Sequence, residues 1–457
     1  MTVLAWVCCN TLSCGDSTKA ITMSFYDELQ ARGIIKQVTS PKLRDAMQAR
    51  AITLYCGFDP TSDSLHVGSL LPLLTLKRFQ DAGHKVIALA GGATGMIGDP
   101  SFKAQERALL TEELLARNLR GITAVMGKFL DMHELNPAKA VNNYDWTRKF
   151  SFIEFLRDVG KHFTVNHMMA KESVRARLED REHGISYTEF SYMLLQAYDF
   201  YHLYVEHGCQ LQIGGSDQWG NITAGTELIR RMKAHAQGRE VTDQDEEHAF
   251  GLTHPLVMKS DGTKFGKTEG GNVWLDRDKT SPYQFYQFWI QAQDADIGTY
   301  LRYFSFKPLP EIEALEKLTQ SQPEKREAQQ ALAREMTAMT HGKEALAAAE
   351  EATQILFGAD PTKASAATLR EIRDSIPQWS VPATRVQSGL SLVDALAESG
   401  LSPSKGQARK DIEGGGISVN NQKVSESAFA LKSEHQLAGE YILLRKGKKN
   451  YLLVWVR

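Results

Sequence analysis

"AITLYCGFDPTSDSLHVGSLLPLLTLKRFQDAGHKVIALAGG", residues 51–92, decides the fold. Its two ends, "AITLYCGF" (51–58) and "KVIALAGG" (85–92), are short, apolar and rich in β-branched residues, which reads as buried strand. Between them "PLLTLKRFQDAG" (72–83) has helical spacing and stops at Gly83. Strand, helix and strand in that span predict a βαβ unit and a parallel sheet.

The first junction carries more chemistry than a turn needs. Asp59, Thr61, His66, Gly68 and Ser69 crowd into "DPTSDSLHVGSL" (59–70), where an open parallel sheet would hold a ligand at the carboxyl end of its strand. Gly68 permits flat contact with a base or sugar, His66 can donate to a phosphate oxygen, and Thr61 offers a hydroxyl. A polar loop of ordinary function could share this composition, so other segments must decide. "GGATGMIGDPS" (91–101) leaves the second strand with four glycines, read as a backbone that approaches a ligand and turns at positive φ, and ends in Asp99. "SFKAQER" (101–107) puts Lys103 and Arg107 on an exposed loop or helix start. In "SDGTKFGKTEGG" (260–271), Lys264 and Lys267 stand among glycines, so a flexible loop could bring both ammonium groups onto phosphate charge, although a surface turn would look the same.

"ISYTEFSYMLLQAYDFYHLY" (185–204) is a helix opened by a Ser186/Glu189 capping box. Tyr192, Gln196 and Asp199 fall at i, i+4 and i+7 along one face, and the apolar neighbours Met193, Leu194 and Phe200 make that face a pocket wall. "CQLQIGGSDQWGNITAGTELIRRM" (209–232) repeats the order strand, glycine turn, helix. Residues 50–255 therefore read as one open α/β domain. From Pro282 the pattern is helical, 358–387 reads as a linker, and 388–457 as a small α+β module ending in strands.

The net charge of −2 is unevenly spread. Arg385 to Arg457 carry eleven Lys and Arg against seven Asp and Glu, a basic tail on an acidic body, which suits a polyanionic partner held at one end. No apolar run approaches the roughly 20 residues that span a bilayer. Five cysteines (Cys8, Cys9, Cys14, Cys56, Cys209) without paired Cys-x-x-Cys spacing point to a reduced, cytoplasmic setting, with Cys56 and Cys209 as buried small hydrophobes. Residues 1–22 lack the basic stretch of a secretory signal, and Met23 reads as the natural start, with 1–22 an extension lacking fixed structure.

Taken together, "YCGFDPT", "HVGS", "GGATGMIGDPS", "YMLLQAYDF", "IGGSDQWGN" and "KFGKT" resemble the bacterial tyrosyl-tRNA synthetases, a family of class I aminoacyl-tRNA synthetases, over about Met23 to Arg457. The resemblance implies a Rossmann-like catalytic domain with an open parallel sheet (23–281), a helical anticodon-binding domain (282–357), the linker (358–387) and a small RNA-binding module (388–457). It also implies two-step chemistry: L-tyrosine and ATP give tyrosyl-adenylate and pyrophosphate, and the tyrosyl group then passes to the 3′ end of tRNA(Tyr). Carried over by motif, Tyr55 and Asp199 bind the substrate's phenolic hydroxyl; this family is itself the standing example of rejecting phenylalanine by leaving such groups unpaired. Asp99, Tyr192 and Gln196 hold the α-ammonium group, and Asp217 and Gln218 bind the adenylate ribose and the substrate. Thr61 and His66 meet the γ-phosphate, Lys264, Lys267 and Thr268 form the mobile loop, and Lys103 and Arg107 assist. ATP lies against Gly57, Asp59, His66, Gly68, Ser69, Gly215, Asp217 and Lys267, with Mg2+ accompanying its phosphates. The family further implies a homodimer in the cytoplasm and no membrane segment. One position departs from it: Ser69 stands where the class signature has a second His, so the ribose contact made by that imidazole falls to a shorter hydroxyl. Two rival readings, a nucleotidyltransferase that activates another acid and a catalytically silent RNA-binding protein, leave the anticodon-like helices and the Tyr55, Asp99 and Asp199 set respectively without a purpose.

Overall fold

The computed structural model describes residues 23–101, 110–171, 174–175, 178, 184–242, 247–268 and 271–457. The predicted βαβ unit is there: β2 (Thr53–Phe58) and β3 (Lys85–Ala90) pair in parallel, joined by the helix Leu70–Asp81. Adding β1 (Gln37–Val38), β4 (Lys139–Asn142), β5 (Cys209–Gly215) and β6 (Phe250–His254) gives a six-stranded sheet in the order β1-β6-β5-β2-β3-β4. The sheet is not wholly parallel. β1 runs antiparallel to β6, with Gln37 opposite Thr253 and Val38 opposite Leu252. Two half-buried residues give no period in sequence, which is why this edge was not foreseen.

β2 sends its side chains alternately to two cores, as a strand covered on both faces must. Leu54, Cys56 and Phe58 pack with Leu70, Leu73, Leu74 and Phe79 of the following helix. Tyr55 points the other way, into a cluster with Ile87, Leu89, Phe200 and Leu203. The chain leaves β2 toward β3 on one side and returns in β5 on the other, so the crevice between their carboxyl ends is the reversal point where open α/β sheets bind ligands. Both thiols expected to be buried are so, Cys56 at 3% and Cys209 at 0% exposure.

Helices fill 282–356, and their aromatic residues Phe285, Trp289 and Phe304 join the same apolar cluster as Leu70 and Leu74. The stretch 358–387 is no simple linker. It holds the helix Ala366–Arg373, the strand Gln378–Val381 and the helix Ala383–Gln387, and that strand pairs in parallel with Asn450–Val456 at the edge of the terminal sheet. Pro377 and Pro382 mark the ends of an edge strand, a position that tolerates proline. The terminal sheet has two apolar faces. Ile442, Leu444, Leu452 and Val454 pack on the helices of their own module, including Leu396, Ala408 and Ile412. Tyr441, Leu443, Tyr451 and Leu453 pack on Ala352, Ile355, Leu369 and Ile372 outside it. Asn421, at φ 63°, donates to the carbonyls of Ile355 and Ala359, each at 2.7 Å. Among the described residues no helix is long and apolar enough to cross a membrane.

Candidate active site

A cavity of about 380 Å³ opens at the carboxyl ends of β2 and β5. Fourteen of the residues singled out from sequence line it: Tyr55, Gly57, Asp59, Thr61, His66, Gly68, Ser69, Asp99, Tyr192, Gln196, Asp199, Gly215, Asp217 and Gln218. The strands, the helix Leu70–Asp81 and the helix Tyr187–His207 bring them together from 160 residues apart in sequence, more or less, which only the sheet topology makes possible. Ser186 caps the second helix by accepting from the Glu189 N–H at 3.2 Å, and that fixes the start of the stripe carrying Tyr192, Gln196 and Asp199.

The deep end is buried. Asp199 is 2% exposed, and both its oxygens accept hydrogen bonds, Oδ1 from Trp146 Nε1 at 2.8 Å and Oδ2 from Asn143 Nδ2 at 2.9 Å. Burial pushes its carboxyl up to about 7, against the pull of those two donors, which favour the ionised form. Tyr55, 1% exposed, has a hydroxyl with no hydrogen-bond partner among the described residues. Burial, then the neighbouring Asp199, holds its pKa well above the ordinary phenol value, so it stays an O–H. A donor without an acceptor beside a carboxylate fits a ligand hydroxyl that can accept from one and donate to the other.

A hydrogen-bonded chain runs outward from there. Asn143 also donates to Thr94 Oγ1 at 3.0 Å, Thr94 donates to Asp59 Oδ1 at 2.7 Å, and the Tyr192 hydroxyl donates to Asp59 Oδ2 at 2.9 Å. Asp99 accepts from Gln218 Nε2 at 2.7 Å and from the Ser101 N–H at 2.9 Å, and Gln218 in turn accepts from Asn221. Asp217 has its pKa raised by burial and then by Asp99. Four carboxylates in one cleft make a field that suits an ammonium group.

At the outer end the His66 Nδ1 accepts from the Gly68 N–H at 2.9 Å. The proton of the neutral ring therefore sits on Nε2, and burial, then the Lys267 charge, keeps the ring neutral by lowering its pKa. The reason for Gly68 differs from the one expected. A Cβ there would lie 2.6 Å from His66 Cε1, so the glycine makes room for the imidazole of its own turn before any ligand arrives. The four glycines of 91–98 also serve mainly internal packing: a Cβ on Gly91 would meet Asp59 at 2.1 Å, on Gly92 Asn142 at 2.2 Å, and on Gly95 Pro60 at 2.8 Å, and Gly98 alone among them has positive φ.

Lys264 and Lys267 do not line the cavity. Both are exposed: Lys264 is bridged to Met258, and Lys267 opens a hairpin (Lys267–Thr268 paired with Gly271–Asn272) that is extended by Val273 N–H to Gly266 O at 3.0 Å and laced to the His66 turn by Val67 N–H to Val273 O at 2.9 Å. Lys103 and Arg107, the side chain of Thr268, and residues 1–22 lie outside what is described. Sequence reasoning missed Asn143, Trp146 and Thr94, which stand behind Asp199 and Asp59, and the cavity-lining Gln212 and His254. "NNYDWT" has no period or spacing that would reveal them; their role exists only once β4 has placed them. His254 Nε2 and Gln212 Oε1 are buried without partners among the described residues, and burial lowers the His254 pKa to about 4.

The family described as tRNA synthetases class I (W and Y) matches residues 47–358, and the tyrosine–tRNA ligase SYY-like C-terminal domain matches 371–454. The chain is 52% identical to the tyrosine–tRNA ligase of Bacillus caldotenax over 436 residues, covering 94% of this chain and 99% of that one. It is 52% identical over 430 residues to the tyrosine–tRNA ligase of Roseiflexus castenholzii, covering 94% and 98%. A C-terminally truncated mitochondrial tyrosyl-tRNA synthetase of Aspergillus nidulans superposes with a TM-score of 0.66 at 30% identity, over 74% of this chain and 96% of that structure. With its carboxylate-lined crevice at the β2/β5 reversal and matches along nearly its whole length, the chain belongs to the tyrosyl-tRNA synthetases of class I.

Proposed function

We infer that this chain is a tyrosine–tRNA ligase that activates L-tyrosine with ATP and transfers it to the 3′ end of tRNA(Tyr). The observation that carries the reading is the partnerless Tyr55 hydroxyl beside the doubly bonded Asp199 carboxylate, a built receptor for a phenol. Tyr55 donates to the substrate's phenolic oxygen and Asp199 accepts its proton-bearing end. Asp99, Tyr192 and Gln196 hold the α-ammonium group, with Gln218 orienting Asp99. The tyrosine carboxylate attacks the α-phosphorus in line; the new C–O–P bond forms as the bridge to the β-phosphate breaks, and pyrophosphate leaves. A hydroxyl at the tRNA 3′ end then attacks the carbonyl carbon and AMP departs. No protein nucleophile takes part, so the protein acts by placing reactants and meeting developing charge. Thr61 and the Nε2–H of His66 meet the outer phosphates, Lys264, Lys267 and Thr268 close on them, Lys103 and Arg107 assist, and Gly57, Asp59, Gly68, Ser69, Gly215 and Asp217 line the nucleotide.

Mg2+ would arrive on the ATP phosphates and neutralise part of their charge. An Mg2+ of this kind is held chiefly by the phosphates of the nucleotide and by water, with few protein ligands. We assign residues 23–281 to catalysis, 282–357 to the anticodon, and the module ending at 457 to RNA. A homodimer would give the exposed apolar side chains Phe152, Ile153, Val165 and Tyr187, at 65, 69, 59 and 66% exposure, a surface to pack against. The buried, unpaired thiols of Cys56 and Cys209 fit a cytoplasmic protein. The decisive experiment is pyrophosphate exchange into ATP with tyrosine, phenylalanine or no amino acid. Exchange with tyrosine alone is expected, and exchange with none would end this reading.

A further inference from the structure

The loop from Asp59 to Leu65 belongs to no helix or strand, yet it carries Thr61 and leads into His66. Three residues on one face of the helix Glu112–Phe129 grip it. Asn118 Nδ2 donates to the Pro60 carbonyl at 2.9 Å in a buried contact. Gly121 lets the backbones touch, since a Cβ there would lie 1.9 Å from the Asp63 carbonyl oxygen. Arg117 pairs with the Asp63 carboxylate. From the opposite side Lys279 binds the same carboxylate and reaches Ser62 Oγ at 3.4 Å. Its ammonium sits 4.7 Å above the ring of Trp274, whose edge meets the His66 imidazole at 6.0 Å, and the His66 and Trp274 backbones are bridged. Lys279 follows the lysine hairpin in the chain, so the carboxylate of Asp63 ties the His66 turn to the segment that leaves that hairpin.

Resting on the function inferred above, we propose that Asp63 and Lys279 are positioning residues: their ion pair, braced by Arg117, sets Thr61 and His66 against Lys264 and Lys267 for the ATP phosphates. The pair touches no reactant. An ion pair near the surface contributes little to stability, so a decorative pair and a positioning pair predict different things. Loss of a decorative pair moves nothing but the melting temperature. Loss of this one moves the two phosphate-facing groups apart.

The test compares Asp63→Asn, Lys279→Met and the double variant with the parent chain. Roughly a tenfold fall in kcat/KM for ATP in pyrophosphate exchange is expected for each single variant, the size set by about 1.4 kcal/mol of lost positioning. The tyrosine KM should change less than twofold, and the double variant should lose no more than either single one, as coupled partners do. Losses that multiply, an equal loss for tyrosine, or a change for ATP below twofold would overturn the proposal. A second readout needs no turnover: the imidazole NMR signals of His66 in the ligand-free protein should shift in Asp63→Asn and return in the swapped pair Asp63→Lys with Lys279→Asp. Unmoved signals would also sink it. An inactive parent chain with shifted His66 signals would instead refute the assigned function and leave the clasp standing.

Discussion

The two ends of the cavity are built on opposite principles. At the tyrosine end, Tyr55 and Asp199 are sealed at 1 and 2% exposure and Asp199 is held from behind by Asn143 and Trp146. At the proposed phosphate end, Lys264 and Lys267 stand exposed, and the loop that carries Thr61 and His66 is held by ion pairs at Asp63, the Asn118–Pro60 hydrogen bond and the bridge to Trp274. In the function proposed above, the first end reads a substrate that differs from phenylalanine by one oxygen, which requires buried, prearranged partners. The second admits a highly charged nucleotide and releases pyrophosphate, which requires solvated, movable charge. That proposal separates selectivity and turnover in space.

Breaking the deep end should cost most. Asp199→Ala leaves the Trp146 indole N–H and one of the two Asn143 amide N–H groups unpaired, at about 1–3 kcal/mol each, and a loss of roughly 100- to 1000-fold in kcat/KM for tyrosine is expected in exchange assays, with a lower melting temperature. Lys267→Ala should lower kcat by about 100-fold, in line with the removal of one preorganised charge-stabilising group, while the tyrosine dissociation constant and melting temperature hold still. If tyrosine binding fell as well, the two ends would not be separable.

Tyr55→Phe sharpens the contrast. Because the hydroxyl is already unsatisfied in the free protein, its removal should leave the melting temperature unchanged or raised, yet narrow the tyrosine/phenylalanine preference by about tenfold, the worth of roughly one hydrogen bond to a polar partner. A pH series tests the same site by a different route. The Asp199 carboxyl titrates at about 7 when folded and near the usual carboxylate value of about 3.9 when unfolded. The folded form therefore keeps a proton that the unfolded chain gives up, and the stability this confers is present below about pH 4 and lost as pH rises to about 7. Tyrosine affinity should move the other way, rising between pH 6 and 8 as the acceptor ionises. In Asp199→Asn both dependences should vanish. The smallest effect is expected at Ser69→His, a severalfold change in the KM for ATP alone; no change would mean that this departure from the family signature is silent.

Much of this was legible in sequence because it lies in single continuous segments. β2, the helix after it and β3 announced themselves by period, and the Tyr192, Gln196 and Asp199 stripe by helical spacing. What was not legible depends on residues brought together from different segments. Asn143 and Trp146 matter because β4 sets them behind Asp199, and β4 opens with two exposed residues and no alternation. The strand Gln378–Val381 was hidden by its flanking prolines, since its partner is more than 70 residues away in Asn450–Val456. The glycines stand out in sequence but their purpose does not: Gly68 and Gly91 accommodate protein atoms, which only the folded chain brings against them.

The terminal sheet lays Tyr441, Leu443, Tyr451 and Leu453 on Ile355, Leu369 and Ile372 instead of hanging from a free tether. A tethered module would search a volume for its RNA and lose that freedom on binding, at an entropic cost that grows with its slack. A seated module has surrendered that freedom during folding. If, as proposed above, the helical domain and this module both face RNA, the packing makes a caliper of them, two jaws held at a set gap that the dimensions of a tRNA must match.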